Sequence, residues 1–424
     1  MKPVVVVSDT FPPYAGQRMG IFCRYLPEYG WEPYVVSCDL FGNPSRLLEG
    51  VRYVEREVAW ATLSRDEMES ATHNHSLYHM AKRFVYPEYS FQPGLHDKTL
   101  QVAAGVISNV QPKLLIGSTS TLYPIPVVAK LSAQFHLPWI ADLADIDEQW
   151  APADKRLPWR LSLRRHRFRL RRDTLIRRAD AVTTVAKWHK EFLTRFNPSS
   201  HVVYNGYDPQ VFQPTDSVDS RKFRIVYTGT LFDQKDEDPS LLFSACQRLL
   251  NNGDVEADSL VIEFYTQPAI RDAIMRLARQ CGVDTVVECH GFMPVAEVPR
   301  ILNRSALLLL LCNKGVKGHT RLTKFYDYLA VKRPILCVRS DEAELEEAIR
   351  SLGAGCCARN LDEAISYLRE AYCEWEATGT VKWRGSAERI GEFSGREQSR
   401  RLAELFDEVL ERWSMCRHRQ LLGQ

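Results

Sequence analysis

The stretch KGVKGHTRLTKFYDYLAVKRPIL, residues 314–336, follows the apolar run Ala306–Leu311. Successive apolar residues over a strand's length read as a strand buried on both faces, as in a parallel sheet covered by helices. That strand empties into a loop in which Gly315 and Gly318 sit among Lys314, Lys317, His319, Arg321 and Lys324. A helical pattern follows. Leu322, Phe325, Tyr326, Leu329 and Ala330 form its apolar face, while Lys324 and Asp327, three apart, share the other face. A cation near a helix N-terminus opposes the helix dipole unless an anion lies between them, so the loop reads as a phosphate site. A solvated basic loop is the alternative.

The same alternation of short apolar runs and amphipathic segments extends outward in both directions. Val4–Val7, Pro33–Ser37, Leu114–Ile116, Trp139–Ala141 and Ala181–Val185 read as one set of strands. Arg224–Tyr227, Leu260–Tyr265, Val286–Cys289, Ala306–Leu311 and Ile335–Val338 read as a second. Helical patterns such as Gly20–Tyr29 and Ile125–Phe135 lie between them, which predicts two consecutive doubly wound α/β domains. NGYDPQVFQPTDSVDSRKF carries turn residues and no periodicity, placing a linker at residues 206–222. The expected organisation is residues 1–205, the linker, residues 223–393, and a crossover helix with a tail at 394–424. That last segment carries an apolar stripe of Leu402, Leu405, Phe406, Val409 and Leu410, with Ser394 and Glu397 at capping-box spacing.

At 424 residues the chain exceeds one ordinary core, and its 45% hydrophobic and 25% charged content is that of a soluble globular protein. No apolar run approaches the ~20 residues that span a bilayer. MKPVVVVSDT reads as a lysine and then a strand, with too short an apolar run for a signal peptide. The eleven cysteines include no C-x-x-C pair, so reduced thiols in a cytoplasmic protein are expected and no metal site is read from them.

Ligands of open parallel sheets bind beyond the carboxyl ends of the strands. Two more loops are therefore informative. SDTFPPYAGQRMG, residues 8–20, puts Pro12-Pro13 and Gly16 ahead of a helix starting near Arg18, whose first N–H groups can receive an anion or a sugar hydroxyl. A plain turn fits as well, and the absence of G-x-G-x-x-G argues against a dinucleotide oxidoreductase. YTGTLFDQKDEDPSLLFSA, residues 227–245, sets Gly229 and Lys235 between a strand end and a helix. Lys235 is either a ligand or a solvated charge.

These loops, in this order, resemble the nucleotide-sugar-dependent glycosyltransferases of the GT-B fold, specifically glycosyltransferase family 4, the group 1 type. The resemblance is carried by residues 6–36, by LPWIADLADIDEQW (137–150) and by RADAVTTVAKWHKEFL (178–193). VVYNGYDPQVF (202–212), IVYTGTLFDQKD (225–236), KFYDYLAVKRPIL (324–336) and FSGREQSRRLAELFDEVL (393–410) complete it. It implies two Rossmann-like domains facing across a cleft, with the terminal helix crossing back to the first. It further implies a hexosyltransferase-type enzyme moving a sugar from a nucleoside diphosphate sugar, its co-substrate, to an acceptor hydroxyl. Retention of configuration and independence of any metal or other cofactor come with it.

Carried onto this sequence, the resemblance implies catalytic roles for Lys235, Lys324 and Asp327. The lysines would neutralise the diphosphate, and Asp327 would bond the ribose hydroxyls. Gly16, Gln17 and Arg18 would approach the donor or the reacting sugar, and Asp142 in the first domain would be a further substrate-binding residue. Gly229 and Thr230 form the second-domain loop, and Gly318, His319, Thr320 and Thr323 the phosphate-binding turn. His290, Gly291 and Phe292 lie where the base is commonly held. Asn205, Gly206 and Asp208 would serve the hinge. The sequence departs from the family at four places: His319 replaces the first glutamate of E-x7-E, Thr230 an arginine, Gln17 a second glycine and Ala144 an arginine.

KRLPWRLSLRRHRFRLRRDTLIRR, residues 155–178, holds ten arginines and one acid, Asp173. As a helix it aligns Leu161, Phe168 and Leu175, and separately Arg160, Arg164, Arg167 and Arg171. A basic amphipathic helix suits an anionic membrane surface, hence a lipid-linked, saccharide or small-molecule acceptor in envelope polysaccharide or glycolipid synthesis. Peripheral attachment to the inner membrane face is the matching location. A solvated face, or a site for RNA or an acidic protein, is the alternative, and no nucleic-acid partner is expected. A GT-B sugar-nucleotide epimerase and a non-catalytic nucleotide-sugar or membrane-binding protein are the other functional readings.

Overall fold

The computed structural model describes residues 1–12, 17–37, 58–61, 94–119, 122–150, 159–216, 218–231, 237–312, 323–340 and 342–421. The chain divides into two compact units. The first runs to Tyr204 and takes back the chain from Gly395, and the second is Asn205–Ser394. The stretch 206–222 thus belongs to the second unit, where Phe212 is buried and the Thr215 N–H donates to Asn303 Oδ1 at 2.7 Å.

The first unit is built on β1 (Lys2–Ser8), β2 (Trp31–Ser37), β3 (Val58–Trp60), β4 (Leu114–Thr119), β5 (Trp139–Leu143), β6 (Ala181–Thr184) and β7 (Ser200–Val202). They form one sheet in the order β3-β2-β1-β4-β5-β6-β7, and every pairing is parallel. Val4–Val7 are at most 1% exposed, as a strand covered on both faces requires. Strand order reverses between β1 and β4, which makes their carboxyl ends the topological switch point of this unit.

The second unit repeats the plan with β8 (Phe223–Thr228), β9 (Leu260–Tyr265), β10 (Val287–His290), β11 (Leu307–Leu311), β12 (Ile335–Val338) and β13 (Gly355–Ala358). Their order is β10-β9-β8-β11-β12-β13, again all parallel. The reversal falls between β8 and β11. The residues following those two strands are therefore Gly229 onward and Cys312 onward, the loops singled out from the sequence.

The helix Gly395–Leu421 returns to the first unit. Leu402, Leu405, Phe406 and Val409 are buried, Phe406 meets Trp31 edge-on at 5.1 Å, and Gln398 Oε1 accepts from the Tyr204 N–H at 2.8 Å. Among the described residues no helix is long and apolar enough to cross a membrane.

Candidate functional site

In the second unit the site is assembled at the switch point. β8 brings Tyr227 and Thr228 to its end, where Gly229 adopts φ +118°, a backbone conformation that favours glycine. Its N–H donates to the Tyr265 carbonyl at 3.0 Å, fixing the turn to the end of β9. Thr230 follows, half-buried, its carbonyl accepting from the Tyr227 hydroxyl at 3.1 Å. Gln267 pins the next residue, since its Oε1 accepts from the Leu231 N–H at 3.1 Å and its Nε2 donates to the Leu231 carbonyl.

The helix Thr323–Ala330 supplies the other wall. It buries Phe325, Tyr326, Tyr328, Leu329 and Ala330, and Thr323, Lys324 and Asp327 stay half-buried on the remaining face. The Tyr328 hydroxyl accepts from the Thr228 N–H at 3.1 Å, which ties this helix to β8. The Lys324 ammonium lies 4.2 Å from the centre of the Tyr227 ring and donates to its hydroxyl. A Cβ added to Gly229 would meet Lys324 Cε at 3.4 Å, so the lysine stem lies against the glycine turn. Burial pushes the Lys324 ammonium below the usual lysine range, while the nearby Glu237 pulls it back up. A lysine desolvated in this way gains most from a bound anion.

Asp327 is shifted in the opposite sense. Burial pushes its carboxyl well above the ordinary aspartate value, and the charge of Asp208 adds to the rise. Asp208 is itself 1% exposed, with one carboxylate oxygen accepting from the Gln210 N–H at 2.9 Å. The hinge reading of Asp208 thus missed a charge that bears on Asp327. Its only sequence signal was an acid inside NGYDPQVF, far from Asp327 in the chain.

His290 ends β10 and stacks on Tyr265 with ring centres 4.6 Å apart, its Nε2 lying 3.3 Å from Glu288 Oε2. Gly291 is exposed and Phe292 half-buried beside it. Beneath the stack lies Glu263, 2% exposed, paired to Arg224 at 3.0 Å and Arg304 at 2.9 Å. Glu263, Glu288 and His290 bring potential metal-ligating atoms within 4.8 Å of one another. Two guanidiniums already match Glu263 there, leaving little negative charge for a divalent ion.

In the first unit the polar residues at the sheet's carboxyl end engage one another. Arg18, 8% exposed, donates from Nη2 to Asp142 Oδ1 at 2.9 Å and from Nε to Oδ2 at 3.3 Å. Asp142 also accepts from Ser118 Oγ at 2.7 Å and Thr183 Oγ1 at 2.6 Å. With four donors on two oxygens, Asp142 orients Arg18 and the strand ends. Asp9, just beyond β1, accepts from Thr119 Oγ1 at 3.0 Å across the switch point. Ser118, Thr119, Thr183 and Asp9 gave no motif by themselves. Gln17 opens the adjoining helix Gln17–Tyr25, half-buried. Gly16, Lys235, Gly318, His319 and Thr320 lie outside the described residues.

Two doubly wound parallel sheets, each with its switch point, and a last helix returned to the first unit define the GT-B fold. No family model matches the chain, and no curated protein matches its sequence. Solved structures do match its fold. A glycosyltransferase from Rickettsia africae has TM-score 0.65 at 10% identity, covering 96% of this chain and 98% of that one. Anabaena HepE, solved with UDP and with UDP-glucose, has TM-score 0.57 at 12% identity, covering 98% and 99%. The lipopolysaccharide outer core galactosyltransferase WaaB has TM-score 0.56 at 12% identity, covering 95% and 99%.

Proposed function

We propose that the protein is a group 1 glycosyltransferase of the hexosyltransferase type, moving a sugar from a nucleoside diphosphate sugar to an acceptor hydroxyl. The observation that carries this reading is the half-buried Lys324, set against Gly229 and Tyr227 at the switch point of the second unit. The HepE complexes with UDP and UDP-glucose support a nucleoside diphosphate sugar as donor. In the transfer, the bond from the anomeric carbon to the diphosphate breaks and a bond to the acceptor oxygen forms. The acceptor proton passes to the departing diphosphate. The barrier lies in leaving-group departure, so positive charge prearranged around the diphosphate is the main lever.

Lys324 supplies such charge without a metal, and Lys235 is assigned to the same task. Asp327 accepts from the ribose hydroxyls, and His290 to Phe292 border the base. Retention of configuration completes the proposal. The acceptor is placed in envelope polysaccharide or glycolipid synthesis at the inner face of a membrane, a reading supported by the fold likeness to WaaB and by the basic segment 155–178. The test is a thermal-shift panel of nucleoside diphosphates and their sugars. One base should raise the melting temperature of the full chain, and the matching sugar nucleotide should raise it as well. A flat response to every nucleotide would refute the proposal.

A further inference from the structure

We infer that the helix Trp159–Ile176 docks the protein on an anionic lipid bilayer by inserting an apolar stripe of Trp159, Leu163 and Leu170. The sequence pattern pointed to Leu161, Phe168 and Leu175 as its apolar face, and the fold uses that face otherwise. Leu175 and Ile176 are buried, and Phe168 packs against the core of the first unit. The arginines on the inner side are occupied as well. Arg165 and Arg169 pair with Asp147, and Arg172 pairs with Glu148 and Asp173.

The opposite side is apolar without being covered. Trp159 is 70% exposed, Leu163 46% and Leu170 52%. They make up half of the six large apolar side chains exposed among the described residues. At about 100° per residue they fall within about 40° of one another and nearly opposite the core-facing side. Arg164, Arg167 and Arg171 run along one flank of this stripe. Arg164 is exposed, and the other two are half-buried.

Both the charge and the apolar side chains have to be accounted for. A nucleic acid or a solvated face would use the arginines and gain nothing from leucines at helical spacing. A bilayer uses both. Anionic headgroups attract the guanidiniums, the leucines enter the acyl boundary, and tryptophan favours the interface. The stripe is about 17 Å of one convex helix face, a shape suited to lying in a membrane plane. This inference rests on the proposed transfer reaction only for the acceptor it would bring within reach.

The experiment is co-sedimentation of the full chain with vesicles of phosphatidylcholine, with and without about a third phosphatidylglycerol. Binding is expected only with the anionic lipid. The double variant Leu163→Asn/Leu170→Asn should weaken it about tenfold or more with an unchanged melting temperature, because both side chains are exposed. Arg164→Gln/Arg171→Gln should weaken it too, and more at low salt. Failure of the wild type to bind anionic vesicles would overturn the inference. So would wild-type binding by the leucine variant, or retention by an RNA oligonucleotide in place of vesicles. No nucleotide is present in this assay. Nucleotide-induced thermal shifts on the same preparations report the transferase reading separately, so either can fail alone.

Discussion

Replacing Asp327 by asparagine should make the protein more stable at neutral pH and a poorer nucleotide binder. Burial and the neighbouring charge of Asp208 both disfavour the Asp327 carboxylate, and among the described residues no hydrogen bond offsets them. A buried polar group left without a partner costs about 1–3 kcal/mol, and more when charged. Asparagine removes the charge at nearly the same volume but stays an unpartnered polar group, so only the excess cost of the charge is recovered, a gain of about 1 kcal/mol or more. For a unit of this size each kcal/mol moves the melting temperature by about 2–4 °C. The sign with pH follows from the raised folded-state pKa. The wild-type penalty is present above that raised value and fades as pH falls through it. It vanishes below the ordinary aspartate value of about 3.9, where the group is protonated in both states. Melting curves of wild type and Asp327→Asn should therefore diverge at neutral pH and converge at acid pH. Nucleotide affinity should meanwhile fall by about tenfold or more, the loss of a charge-assisted bond to ribose. A variant less stable than wild type at neutral pH would refute the reasoning, because it would mean that the charge has a partner it depends on.

Gly229→Ala forces a side chain into φ +118° and should cost about 1–3 kcal/mol in the second unit, read by denaturant titration. Its Cβ also meets the Lys324 stem, so nucleotide affinity should drop with it; an alanine variant of wild-type stability would remove the turn from the account. Arg172→Ala leaves Glu148 with Arg169 alone and takes from Asp173 its neighbouring guanidinium, and should destabilise the first unit by about 1–3 kcal/mol. A loss below about 1 kcal/mol would show that these acids do not need it.

Most interior strands of both sheets were legible because they are largely apolar on successive positions, as Leu307–Leu311 illustrates. The strands that went unread, Val58–Trp60, Ser200–Val202 and Gly355–Ala358, are all edge strands, with one neighbour and mixed burial that leave no such run. Lys324 and Asp327 were legible as a pair because three-residue spacing puts them on one helix face. The influence of Asp208 on Asp327 and the pairing of Arg18 with Asp142 were not, since the fold alone brings distant segments together. The basic helix shows the same limit. Its sequence contains two apolar stripes, and only packing decides that Phe168 and Leu175 face the core while Leu163 and Leu170 face outward.

The central claim is that the second unit holds a nucleoside diphosphate through Lys324. Calorimetric titration of the full chain with each nucleoside diphosphate, repeated on Lys324→Ala, tests it most directly. One preferred base should bind, at one site per chain. Affinity should weaken as pH rises through the depressed lysine pKa, and binding should fall about a hundredfold in the variant while its melting temperature holds. Equal binding by wild type and Lys324→Ala would contradict it.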